Sequence, residues 1–95
     1  MKPLMVPVRT SEEIAEIEDY YESKQAGLGL EFQAQLKRSF LAIRRTPDAF
    51  AYDTVSDTRK YVMRRFPYVV HYLHEETWIE VIAVAHQKRK PGYWQ

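Results

Sequence analysis

Residues 59–85, RKYVMRRFPYVVHYLHEETWIEVIAVA, decide the fold. Three runs in this stretch read as strands. Arg59 to Arg65 is a short strand-like run, Tyr68 to Leu73 is rich in β-branched and aromatic side chains, and Trp78 to Ala85 is almost continuously apolar. Phe66-Pro67 separates the first two tightly, and His74-Glu75-Glu76-Thr77 is a hairpin loop between the second and third. Strands this close in sequence pair antiparallel, because a parallel crossover needs a dozen or more residues.

Upstream, Pro47 to Asp57 reads as a loop anchored by Phe50 and Tyr52. Before it, Phe32, Leu36, Phe40 and Ile43 follow the spacing of one helical face from Leu30 until Pro47 stops the helix. Ile14, Ile17 and Tyr21 mark an earlier amphipathic helix, with Glu12, Glu16 and Asp19 on its other side. Thr10-Ser11-Glu12-Glu13 has the capping-box pattern, in which Thr10 would accept from the Glu13 amide and Glu13 would reach back to the Thr10 amide. Gly27 and Gly29 fall at the turn between the helices. Tyr20, Tyr21, Phe32, Leu36 and Phe40 are the expected helical contribution to the core. Leu4 to Arg9, with Val6 and Val8 alternating around Pro7, reads as an edge strand. The resulting order, β-α-α-β-β-β, is an α+β two-layer domain in which a helical hairpin packs on a small antiparallel sheet.

The chain has 95 residues, the size of a single domain spanning 1–95. Its 45% hydrophobic and 14% aromatic content exceeds that of a disordered chain, so it folds. A domain this small buries only roughly 60 to 65% of its unfolded surface, so a partner covering apolar surface would contribute appreciably to stability. With no cysteine there is no disulfide, thiolate nucleophile or Cys-containing zinc site, which points to the cytosol. No apolar run reaches the length of a signal-peptide core or a membrane span. The net charge of +1 hides an asymmetry. Residues 1–55 carry seven Lys/Arg against nine Asp/Glu, whereas residues 56–95 carry seven against four, so the basic surface belongs to the second part.

Phe66-Pro67-Tyr68-Val69-Val70-His71-Tyr72, the strand end Ala83-Val84-Ala85-His86 and the tail Arg89-Lys90-Pro91-Gly92-Tyr93-Trp94 resemble the RelE/ParE superfamily of bacterial toxins, the plasmid-stabilisation type. Tyr20-Tyr21, Gly27-Leu28, Phe32 and Thr46-Pro47 stand where that family has its helical hairpin, so the resemblance covers nearly the whole chain. It implies a type II toxin neutralised by a cognate antitoxin whose disordered segment folds over it. It leaves two targets, because fold does not imply function. ParE-like members, which this sequence resembles more closely, are associated with poisoning of DNA gyrase. Such a toxin needs no catalytic constellation, only a surface of arginines and aromatics, here Arg59, Arg65, Arg89, Tyr93 and Trp94. RelE-like members resemble ribosome-dependent mRNA endoribonucleases, for which His86, Arg89 and Tyr93 would form the site. Those members carry an arginine in the strand that begins here at Tyr68, and Val69 stands in its place. A third reading is an antitoxin-binding module of the same fold without toxicity.

Each candidate also has a structural alternative. Arg59 and Arg65 share a face by period two and could be a solvated strand flank. Arg89 could bond the sheet end, Trp94 could pack the tail onto the body, and His86 could be a satisfied structural histidine. His71 and His74, three apart on a strand, face opposite sides and make no metal pair. No cofactor is expected. The acidic Glu12, Glu16 and Asp19 stripe is a solvated face or is complemented by basic residues of the antitoxin or of a second copy in a homodimer or toxin–antitoxin hetero-oligomer.

Overall fold

A computed structural model describes residues 1–90 and 92–94. The order is β1 (Leu4–Met5), α1 (Val8–Lys24), α2 (Leu28–Arg45), β2 (Tyr52–Asp53), β3 (Thr58–Val62), β4 (Tyr68–His74) and β5 (Ile79–His86). The five strands form one sheet in the order β1-β5-β4-β3-β2. β2 through β5 pair antiparallel with their neighbours, while β1 lies parallel to β5, with Leu4 opposite Ile79. The α+β architecture and the helical hairpin are as the sequence predicts. No helix among the described residues is long and apolar enough to cross a membrane.

The helices bury the stripes that periodicity picks out, with Ile17, Phe32, Leu36 and Ile43 in the core against Val70, Tyr72, Ile79, Val81 and Val84 of the sheet. Tyr21, Phe32, Phe66 and Tyr68 form an aromatic cluster with ring centroids 4.9 to 6.2 Å apart. Tyr20 touches it from outside, edge-on to Tyr21 with centroids 5.3 Å apart, and is not buried in the core. At 54% exposure it lies on the solvent side of α1, one position round from Tyr21. The hairpin closes tightly at Gly29, where a Cβ would stand 2.8 Å from the Glu18 carbonyl oxygen. Glu22 caps α2 from outside, accepting from the amides of Gly27 and Gly29.

A register shift between His71 and Tyr72 sets the two faces of the sheet. Tyr72 pairs with Val81 and Val70 with Val84, so both valines face the helices although they are three residues apart in sequence. The other face carries Lys60, His71 and Ala83 in one row and Val62, Val69 and Ala85 in the next. This double burial explains why β5 reads as a continuous apolar run.

Several boundaries differ from the sequence reading. β1 covers two residues instead of Leu4 to Arg9, because Pro7 already stands at the helix N-cap with its carbonyl accepting from Ser11. The capping box does not form. Thr10 is 2% exposed and donates its hydroxyl to the carbonyls of Val81 and Ile82, while the Glu13 carboxylate accepts from the Val84 amide. β1 ends opposite Glu80, so α1 supplies what the rest of the outer edge of β5 needs. β3 ends at Val62, not Arg65, because the Met63 amide turns back to the Tyr68 carbonyl. The Pro47 to Asp57 loop contains β2, which is followed by an Asp53-stapled turn in which Asp57 adopts φ 58°.

Candidate functional site on the docked tail

β5 ends at His86, and the segment after it folds back onto the body. The Arg89 amide donates to the His86 carbonyl, and the Lys88 amide donates to His86 Nδ1. The His86 ring meets Tyr68 edge-on, with centroids 5.4 Å apart. His86 therefore organises the turn that launches the tail. Gly92, at φ 82°, reverses the chain into Tyr93 and Trp94. Pro91 of the tail motif lies outside the described residues.

Three elements dock the tail. The Tyr93 hydroxyl donates to the second oxygen of the same Glu13 carboxylate that holds Val84. Arg9 of α1 donates to the Trp94 carbonyl at 3.2 Å. The Trp94 indole lies on the His71 imidazole, with ring centroids 4.6 Å apart, and covers part of the helix-free face of the sheet. Arg89 places its guanidinium 3.8 Å from the centre of the Tyr93 ring, a cation–π contact on an exposed side chain. Arg89, Tyr93 and Trp94 are thus brought into one patch.

Burial shifts three titratable side chains in and around this patch, His71, Tyr93 and Tyr68. Burial beneath the tail, reinforced by the nearby Lys60 ammonium, drives the His71 pKa down to about 4, so the ring is neutral. Its Nδ1 lies 3.2 Å from Thr58 Oγ1, which in turn lies 2.8 Å from Ser56 Oγ. Burial, then the Glu13 carboxylate that it bonds, pushes the Tyr93 hydroxyl well above its ordinary range. Desolvation in the aromatic cluster raises Tyr68 to about 12.

The remaining candidates lie elsewhere. Arg59 turns its guanidinium onto the loop after α2, donating to the carbonyls of Phe50 at 2.8 Å and Asp48 at 3.2 Å and pairing with the Asp48 carboxylate. Arg65 sits in the β3–β4 turn, pairing with Glu31 at 3.4 Å and lying over the Phe66 ring. The two therefore do not share a strand face as period two predicts, since Arg65 is beyond the strand. His71 and His74 do part company, His74 being held between Lys2 Nζ and the Asp48 carboxylate, each at 2.7 Å. Among the described residues there is no group of three side chains suited to a metal ion. A groove of about 540 Å³ between β1 and Trp78 is lined by none of the candidates. In the sequence reading Arg9, Glu13 and His71 have no part in docking the tail, because nothing local connects these residues to that segment.

A family profile described as the ParE toxin of type II toxin–antitoxin systems, parDE, matches residues 8–91. The chain belongs to the ParE toxin family. The ParE match takes in the helical hairpin, the whole run from β2 to β5 and the first part of the tail. The ParE-like fold is also similar to a solved structure titled "Chromosomal ParDE TA system from P. aeruginosa", with a TM-score of 0.77 at 14% identity over 90% of this chain and 96% of that one. Comparison with curated proteins returned no match. Membership in the ParE family makes the chain a type II toxin and implies a cognate antitoxin as its partner.

Proposed function

We propose that this ParE-family toxin inhibits DNA gyrase without chemistry of its own, through the patch formed by Arg89, Tyr93 and Trp94. The supporting observation is the state of the tail. An exposed arginine is stacked on a tyrosine beside a tryptophan, the residue types that dominate binding hot spots. Meanwhile the groups a ribonuclease would use are engaged otherwise. The Tyr93 hydroxyl is spent on Glu13, Arg89 is stacked on the Tyr93 ring, and His86 accepts a backbone amide in its own turn. In this reading Arg65 is a second exposed contact and Arg59 holds the α2–β2 loop in place. The antitoxin restores growth by covering the toxin, and a second toxin copy is a further candidate partner.

The test is negative supercoiling of relaxed plasmid by purified gyrase in the presence of the purified toxin. Inhibition by wild type that Arg89→Gln and Trp94→Ala reduce at least tenfold, with His86→Ala unchanged, supports the proposal. Undiminished supercoiling, together with transcript cleavage in a translating extract that His86→Ala lowers on the order of 100-fold, would replace it with the ribonuclease reading. Inactivity in both assays with intact antitoxin binding would identify a non-toxic module.

A further inference from the structure

Beyond the tail, a second cationic surface lies between α2 and the outer end of β3. β2 pairs only with Thr58 and Arg59, so β3 has no strand outside it from Tyr61 onward. The Lys60 amide donates outward to Ala51, and alternation turns the Val62 amide the same way, past the end of β2. On α2, Gln35, Arg38, Ser39 and Ala42 stand at i, i+3, i+4 and i+7, forming the opposite wall. A cleft of about 210 Å³ is lined by Gln35, Arg38, Ser39, Tyr61 and Arg64. It continues through Tyr61 and Arg64 into a hollow of about 450 Å³ that adds Lys60, Val62, Phe50 and Ala42.

Two features distinguish this place. No carboxylate lines either cavity. Most arginines of the chain are occupied: Arg9 on Trp94, Arg44 on the Lys2 carbonyl, Arg59 on Asp48, Arg65 on Glu31 and Arg89 on Tyr93. By contrast the guanidinia of Arg38 and Arg64, like that of Arg45, have no partner among the described residues. Two free guanidinia facing one cleft repel each other and are stabilised by an anion between them.

We propose that the Arg38–Arg64 cleft binds the phosphodiester backbone of a nucleic acid. Guanidinia beside side-chain amide and phenol donors are a set that contacts phosphate and sugar, and Tyr61, braced edge-on by Phe50 at 4.9 Å, supplies an aromatic surface. Lys60 is paired with Asp53 at 3.1 Å, so the free lining cations Arg38 and Arg64 set the contact at about two phosphates, and binding is weak and not sequence-specific. The site is independent of the tail, and its reading stands whether or not gyrase is the target.

The test is fluorescence anisotropy of a labelled 20-base-pair duplex with the full chain between 50 and 200 mM NaCl. Wild type is expected to bind at 50 mM with a log–log salt slope of about −1.8, two phosphates at about 0.9 each. Arg38→Gln and Arg64→Gln each flatten the slope by about 0.9 and weaken binding about 15-fold at 50 mM, whereas Arg64→Lys keeps the slope. Lys24→Gln, which removes the same charge from α1, leaves both unchanged. Matching melting temperatures confirm that the variants fold, as substitutions of exposed side chains should. Equal loss in Lys24→Gln would reduce the effect to overall charge and overturn the site, as would absence of binding at 50 mM. Displacement of the duplex by inorganic phosphate at matched ionic strength would make the cleft a free-phosphate site. Tighter binding of a poly-glutamate peptide than of the duplex would make it a protein-docking surface.

Discussion

Replacement of Thr10 discriminates between a helix cap and an edge cover. The hydroxyl is 2% exposed and its single proton is shared between two β5 carbonyls, Val81 at 3.1 Å and Ile82 at 3.0 Å. Thr10→Ser keeps the donor and removes one buried methyl, a loss of about 1 kcal/mol. Thr10→Val keeps the shape and leaves both carbonyls without that donor, at a cost of about 1–3 kcal/mol. Thr10→Asp places an acceptor-only carboxylate against two carbonyl oxygens in a site without water, at a cost of about 4 kcal/mol or more. Since 1 kcal/mol shifts the melting temperature of a domain this size by about 4–8 °C, thermal unfolding by circular dichroism should rank wild type above Ser, Ser at or above Val, and Val well above Asp. The gap between Thr10→Asp and wild type should narrow as the pH falls from 7 to 4, because a protonated carboxyl regains a proton to donate. An N-cap prefers Asp and Ser to Thr. A Thr10→Asp protein at least as stable as wild type at pH 7 would refute the edge-cover assignment.

His71 has its pKa lowered from the ordinary 6.5 to about 4 in the folded chain, so the unfolded chain binds the extra proton between those values. Its contribution is complete above about pH 6.5 and is lost as the pH falls toward 4, amounting to roughly 3 kcal/mol. Urea denaturation of wild type and His71→Gln across that range should show a steeper loss in wild type, and parallel curves would contradict it. Trp94→Ala, by letting water reach the ring, should raise the His71 pKa toward 6.5 in an NMR titration, and an unmoved value would mean that the indole does not cover it. Gly29→Ala should destabilise by about 1–3 kcal/mol by forcing a Cβ onto the Glu18 carbonyl, although helix propensity alone favours Ala by about 1 kcal/mol, so the sign of the change in urea midpoint decides. Tyr72→Phe removes the 2.6 Å bond from the hydroxyl to the Pro47 carbonyl, and its expected loss of about 1 kcal/mol is checked by the same melts.

The local sequence determined the elements whose cause is local. Phe32, Leu36 and Ile43 recur at the helical period and are buried, and the closely spaced runs of β3, β4 and β5 had to pair antiparallel. The Phe-Pro-Tyr opening and the tail carried the family resemblance, and the family match bears it out. Short-range patterns failed where long-range contacts competed for the same atoms. Thr10 and Glu13 have the spacing of a capping box, but α1 runs beside an open strand edge, and a buried carbonyl or amide left there without a partner is costlier than a helix end open to solvent. Arg65 has the parity of a strand residue, yet the chain turns before reaching it. The two-residue β2, whose short pairing leaves the Arg38–Arg64 cleft open, carries no periodicity to read. Residue type along the chain thus determined which groups are available, namely arginines, aromatics and no cysteine. Only the tertiary structure decided which of them meet, because Glu13 with Tyr93, His71 with Trp94 and Arg38 with Arg64 are joined by the folding of distant segments onto one sheet.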